Sequence, residues 1–311
     1  MRKRSRFVLL LAVMALCCCL GFIGFPVSHV YAAEGGGNHY PGGNEDFMTG
    51  ALPPPGTYFL NYLDFFNSHT LNGNNGQAIH AAIPGVGNLG FNLAVIAEVP
   101  RFVWVSKIKL LGGDLVGHVI VPLLNEHVSA FGSSQTKTGV GDMEAGMGIG
   151  WHFSKNFHAV FALDVVAPTG QYNKNDMLNI GNNYWSIDPL LCLTYRADNG
   201  FEASAKLMYW INTVNSETHY VSGQEFSADY LVGWHYQKWG FGANGYWRQQ
   251  LTNDTQNGHD VENFKAQYFS IGPAITYDLP KGCLTFKYQF GLEAKNVPLG
   301  NSAWLKFVWA F

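Results

Sequence analysis

Charge is scarce in this sequence. Asp, Glu, Lys and Arg together make up 13% of its 311 residues, about half the share of an ordinary water-soluble chain. A globular surface built from so few charges would be poorly solvated, so the deficit calls for a wall that faces something other than water. The net charge of −3 comes without a basic cluster, which argues against a nucleic-acid partner. Cysteine is scarce too. Cys17, Cys18 and Cys19 fall in an N-terminal apolar run, and only Cys192 and Cys283 lie beyond it. These two sit in separate alternating stretches, where lone thiols are a simpler expectation than a disulfide. Past the N-terminal run, no apolar stretch is long enough for a transmembrane helix. No Gly-x-Ser-x-Gly elbow is present, and no Ser/His/acid set stands at a recognisable linear spacing.

The N-terminal run has the layout of an export signal. Arg2, Lys3, Arg4 and Arg6 form a basic start, residues 7–25 an apolar centre, and Val30-Tyr31-Ala32-Ala33 a small-residue exit. Cleavage after Ala32 or Ala33 is expected, which makes 1–33 a signal peptide. Residues 34–56, rich in Pro and Gly, show no periodicity and form either a plug in the lumen or a periplasmic segment. Residues 57–311 form the third unit.

In this third unit aromatics and glycine are abundant, and the dominant period is two, the signature of strands with opposite faces. Met143, Ala145, Met147, Ile149 and Trp151 alternate with Asp142, Glu144, Gly146, Gly148, Gly150 and His152. Similar runs cover 157–166, 201–212, 225–236, 284–293 and 303–311, and in all six the apolar face carries no charge. A soluble sandwich also alternates. Here, however, Trp, Tyr and Phe gather near the ends of the oily faces, as in the girdles of a membrane barrel. Expected strands are 57–65, 89–105, 114–123, 140–152, 157–167, 184–196, 200–212, 223–237, 240–251, 264–279, 282–293 and 302–311. Short connections alternate with long ones at 67–88, 124–139, 168–183 and 252–263. The fold class is therefore all-β: an antiparallel up-and-down transmembrane β-barrel of about twelve strands. Near Gly272-Pro273 the phase slips, which a bulge there would explain.

On the inward phase stand His118, Asp142, Glu144, His152, His158, Asp164, Glu202, Lys206, Glu225, Asp229, His235, Arg248, Lys287, Glu293 and Lys306. Most are expected to pair with one another, since a lone charge in a narrow lumen is costly. A minority, Arg248 and the Asp142/Glu144 pair among them, could orient a polar group of a solute. If residues 34–56 enter the lumen, His39, Glu45, Asp46 and Phe47 would meet the inner wall. His152 and His158 flank one turn but lack a third metal ligand, so no metal and no cofactor is expected. Gly146, Gly148 and Gly150 lie mid-strand with no helix after them, which suits space for a plug or a bend rather than phosphate binding. Asn253-Asp254-Thr255 matches a glycosylation sequon by chance.

Several blocks resemble the meta-pathway of phenol degradation / SphB-like outer-membrane transporter family. They are His39-Tyr40-Pro41-Gly42-Gly43-Asn44-Glu45-Asp46-Phe47, Gly50-Ala51-Leu52-Pro53-Pro54-Pro55-Gly56-Thr57-Tyr58, Gly139-Val140-Gly141-Asp142, Ala167-Pro168-Thr169-Gly170, Asn182-Tyr184-Trp185 with Pro189, Asn215 to Tyr220 with Ser222-Gly223, Gly245-Tyr246, Thr252-Asn253-Asp254 and Ile271-Gly272-Pro273. The resemblance spans nearly all of the chain after residue 33. It implies passive uptake of small hydrophobic or aromatic compounds across the bacterial outer membrane, without enzymatic activity, and leaves the solute open. Phe307, Trp309 and Phe311 resemble the aromatic signal by which such barrels are inserted. The implied partners are outer-membrane lipid, the barrel-assembly machinery and a small apolar or aromatic solute. The competing expectation is a barrel enzyme acting on lipid or peptide at the rim. A structural or adhesive barrel is a third, for which the modest loops give little material.

Overall fold

The computed structural model describes residues 37–79, 81–83, 87–130 and 132–311, so the expected signal peptide lies outside the described residues. The strands are β1 (Gly56–Leu71), β2 (Ala81–Ile83), β3 (Gly87–Leu89), β4 (Phe91–Leu110), β5 (Gly113–Ile120), β6 (Leu123–Ala130), β7 (Ser133–Val140), β8 (Met143–His152), β9 (Phe157–Ala167), β10 (Ser186–Arg196), β11 (Phe201–Asn212), β12 (Tyr220–Val221), β13 (Glu225–Tyr236), β14 (Trp239–Gln250), β15 (Asp254–Gln256), β16 (His259–Val261), β17 (Gln267–Leu279), β18 (Gly282–Lys295) and β19 (Pro298–Ala310). Twelve of them, β1, β4, β5, β8, β9, β10, β11, β13, β14, β17, β18 and β19, pair in an antiparallel ring. The ring closes because β1 pairs with both β4 and β19.

Closure leaves no unpaired edge, and alternation then decides which side chain faces which medium. On β8, Met143, Ala145 and Met147 are exposed while Glu144, Gly146 and Gly148 are buried. Phe102, Trp104, Leu163, Val232, Trp234, Phe241, Phe286 and Leu305 likewise stand on the outside. The buried set inside is largely polar, including Asp64, Asp164, Asp188, Glu202, Lys206, Glu225, Asp229, Arg248, Lys287 and Lys306. A soluble protein has the opposite arrangement. An oily exterior around a polar core fits hydrocarbon outside and a lumen within. Outer aromatic rings pair near one end: Trp151 with Phe153, Phe201 with Trp234, Trp239 with Tyr277, and Phe307 with Trp309. This is also the end where β1 starts, β19 finishes and the short turns lie; it is called the turn end below, and the opposite one the loop end.

Several features differ from the sequence reading. Residues 124–139, expected as a loop, form the β6–β7 hairpin, which prolongs β5 and β8 beyond the ring and pairs with the upper half of β4. Their Asn, Ser and Thr are turn formers by composition. Here they alternate, and cross-strand pairs such as Asn125–Thr138 (2.5 Å) and His127–Thr136 (2.7 Å) hold them extended. The loop at 252–263 contains β15 and β16, which join β12 in a small sheet. The phase slip lies elsewhere than expected: β17 keeps one register with β14 throughout, and the shift falls between β17 and β18, where Phe269 pairs with Glu293 but Ser270 with Gly291. The bulged residue is Leu292. Tyr268 faces inward and meets Tyr246. Cys192 and Cys283 are both free.

Candidate functional site

Residues 37–52 lie against inward-facing side chains of the ring. Pro41, Pro53, Pro54 and Pro55 remove backbone donors, and the segment makes almost no backbone bonds of its own, Ala51 N to Met48 O excepted. A buried backbone needs partners, and side chains of the wall supply them. Asp229 accepts from Gly43 N and Glu45 N (both 2.9 Å), Glu202 from Met48 N (2.6 Å) and Thr194 from Gly50 N (2.9 Å). Lys287 Nζ donates to Asn44 O (2.6 Å), Asn244 Nδ2 to Glu45 O (3.0 Å), Gln289 Nε2 to Gly43 O (3.2 Å) and Arg248 Nη2 to Gly37 O (3.1 Å). The segment passes from the loop end, where His39 meets Asp142 (2.9 Å) and Ser186 (2.8 Å), to the turn end, where Phe47 packs edge-on against His235.

Its strongest attachment is ionic. Glu45 accepts from Arg101 Nη1 (2.7 Å) and Tyr62 Oη (3.0 Å) and lies 3.5 Å from Lys306 Nζ. Asp46 accepts from Lys306 (2.7 Å) and Lys287 (3.0 Å). Glu45, Asp46, Lys287 and Lys306 are buried and Arg101 is partly so, and an incomplete set would be severely destabilising. The wall is shaped to the segment as well. A Cβ on Gly150 would lie 2.2 Å from Leu52, and one on Gly42 2.2 Å from the Tyr246 ring. Gly43 adopts φ +89°, a conformation that L side chains resist.

The other inward groups form pairs around this axis. Arg248 binds Glu225 through two 2.6 Å contacts, His235 meets Glu202 at 2.5 Å, and the Lys206 ammonium stands 4.4 Å from the centre of the Tyr40 ring. The Tyr40 hydroxyl donates to Asp229 and lies beside the Asn44 side-chain amide. His118, Glu144 and Asp164 bring three potential metal-ligand atoms within 4.8 Å of one another. Arg101 Nε donates to His118 Nδ1 (3.2 Å), which leaves the ring proton on Nε2, facing Asp164 at 2.8 Å. A neutral His committed at both nitrogens fits a hydrogen-bonded chain better than a metal centre.

Glu293 departs from the expected placement. The Leu292 bulge reverses the phase of β18, so Glu293 is exposed outside while Ala294 is buried. His152 and His158 face each other at the turn-end rim, Nδ1 to Nδ1 at 2.7 Å, with His152 exposed. Phe307 and Trp309 lie on the outer face, and Phe311 is exposed at the chain's end. Sequence reasoning left out Arg101, Tyr62, Asp64, Asp188, Asn244 and Gln289, which line the interior; those on β1 and β4 share phase with Leu60, Val99 and Val103.

Folding also assembles a Ser/His/acid set that linear spacing hid: Ser186, His39 and Asp142. It lacks the features of a nucleophile. Ser186 is fully buried and donates its hydroxyl proton to Asn212 Oδ1 (2.5 Å) rather than to His39. At the turn end, Met48 with Lys155, Asn156, His158, Arg196, Asp198 and His235 lines a cleft of about 490 Å³.

A family model described as "Putative MetA-pathway of phenol degradation" matches residues 68–307. The solved COG4313 outer membrane channel from Pseudomonas putida F1 overlays with a TM-score of 0.75 at 17% identity, covering 86% of this chain and 99% of that one. Looser likenesses are to the translocator domain of the autotransporter NalP from Neisseria meningitidis (TM-score 0.47, 8% identity, 84% and 91% covered) and to the P. putida toluene transporter TodX (0.43, 8%, 83% and 91%). No curated protein matches the sequence.

Proposed function

The chain belongs to that phenol-degradation family of outer-membrane barrels, and from this premise we propose that it is a stoppered passage for small apolar or aromatic solutes. Residues 37–55 are the stopper. The observation that carries this reading is the way the segment is held: its backbone and its two acids are bound by side chains from strands all around the lumen. A chain that served only to brace the wall would gain more from apolar packing than from buried ions. The polar contacts can be exchanged for water or solute as the segment moves. The turn end, with the short turns, the start of β1 and the finish of β19, faces the periplasm, as in other bacterial barrels. The cleft beside Met48 is then the periplasmic mouth. Residues 1–33 direct export, and Phe307, Trp309 and Phe311 engage the assembly machinery.

The test is uptake into proteoliposomes. Purified chain should admit small solutes faster than protein-free vesicles, and rates equal to the control would end the proposal. A second reading, hydrolysis at the rim, would have to rest on the Ser186–His39–Asp142 contact, whose serine is buried and directs its proton to Asn212. Ser186→Ala should leave uptake intact and abolish no esterase or lipase activity; loss of a measured hydrolysis would revive the enzyme.

A further inference from the structure

The place where the N-terminal segment is held most firmly also indicates what can replace it. Glu45 and Asp46 set two carboxylates side by side against three cations from three strands: Arg101 on β4, Lys287 on β18 and Lys306 on β19. If the segment withdraws, buried Lys287 and Lys306 and partly buried Arg101 lose their direct ion-pair partners together, and the site then favours an anion. Two aromatic rings flank it. Lys306 Nζ lies 5.7 Å from the centre of the Tyr62 ring and Lys287 Nζ 5.3 Å from that of Trp304. On the loop-end side the wall becomes apolar, with Tyr62, Trp304, Ala97, Val99 and Ile120 in one cluster. Among the described residues, Trp304 Nε1 is a buried donor with no hydrogen-bond partner, and Tyr62 Oη already donates to a carboxylate.

We infer that the solute of this passage is an aromatic carboxylate, whose anionic group takes the place of Glu45 and Asp46 on Arg101, Lys287 and Lys306 while its ring rests on the Tyr62 and Trp304 wall. The inference rests on the passage reading above and names its substrate class. The segment's two acids are then a resident stand-in for the solute. Because solute and segment compete for the same cations, solute binding favours the withdrawn state by mass action.

The test is equilibrium dialysis of radiolabelled benzoate against the folded full-length chain in detergent. Benzyl alcohol, a ring without charge, and acetate, a charge without ring, serve as displacing competitors. Benzoate should bind, and either competitor should displace it at least about tenfold less well than unlabelled benzoate. Lys306→Gln should weaken binding about tenfold, and the E45Q/D46N double variant should strengthen it by a similar factor. The double variant leaves every barrel strand unaltered, and a folded band on an unheated gel is required of it before binding is read. Benzyl alcohol displacing as well as benzoate itself, or an unchanged benzoate affinity in the double variant, would overturn the substrate class. Neither result bears on the passage reading, which solute uptake decides.

Discussion

At the scale of single residues, the lumen makes two kinds of demand, one electrostatic and one steric. Lys287 is fully buried between Asp46, the Asn44 carbonyl and the Trp304 ring. Lys287→Met leaves Asp46 short of a counterion and should cost about 3–5 kcal/mol, the usual consequence of breaking a buried pair. The check is the temperature at which the folded band converts to the unfolded one on a gel, which should fall. The steric demand separates two glycines of one strand. A methyl at Gly146 would collide with Asp164 and His118, which belong to the wall, whereas one at Gly150 meets Leu52 of the segment. Gly146→Ala should therefore destabilise the barrel by about 1–3 kcal/mol. Gly150→Ala should leave the melting temperature nearly unchanged and raise solute flux. Alternation alone placed most inward charges. Arg101 escaped it because its neighbours in phase, Val99 and Val103, are apolar, and because the outer face there, Phe102 and Trp104, is apolar too. With both faces oily, a period of two carries little information. His39 and Ser186 are 147 residues apart, and no linear pattern joins them.

At the scale of elements, the strands were legible because lipid imposes a stricter rule than water: one face must be free of charge along its whole length. Leu163, at the middle of β9 and exposed, tests that rule. Leu163→Arg should cost about 2–4 kcal/mol if the site lies near the bilayer midplane. The free energy of folding into lipid vesicles, measured in urea, gives the value; a neutral effect would place β9 in contact with water. Elements that leave the bilayer obey weaker rules, and there the sequence reading failed. The β6–β7 hairpin and the β12–β15–β16 sheet mix strand formers with polar residues common in turns, which cross-strand partners hold extended. The small sheet carries its own pH dependence. Burial pushes Asp254 up to about 6, against the opposing hydrogen bonds from Tyr220 and Gln250. A raised carboxyl pKa means that folding favours the protonated form. Its support of the loop is complete below the ordinary Asp range and is lost as pH rises through about 6. Amides of β12, β15 and β16 should exchange more slowly at pH 5 than at pH 7.5 after correction for intrinsic rates, and Asp254→Asn should flatten the difference.

At the scale of the whole molecule, a twelve-stranded ring encloses more space than its own side chains fill, and the N-terminal segment contacts wall side chains that face that space. The sequence leaves the alternatives of plug and tail open for a physical reason. A segment rich in Pro and Gly has no periodicity of its own, and its partners are spread over strands that only closure brings together. Asp229, Glu202, Thr194, Asn244, Lys287 and Gln289 bind it from five different strands. If these contacts stopper a passage, removing the segment must open it without dismantling the wall. Single-channel recording in planar bilayers, comparing the full chain with a variant lacking residues 37–55, measures this most directly. Removal should convert a mostly closed channel with brief openings into a steadily conducting one. Equal conductance in the two, with the deletion variant still running as a folded barrel on an unheated gel, would contradict the stopper.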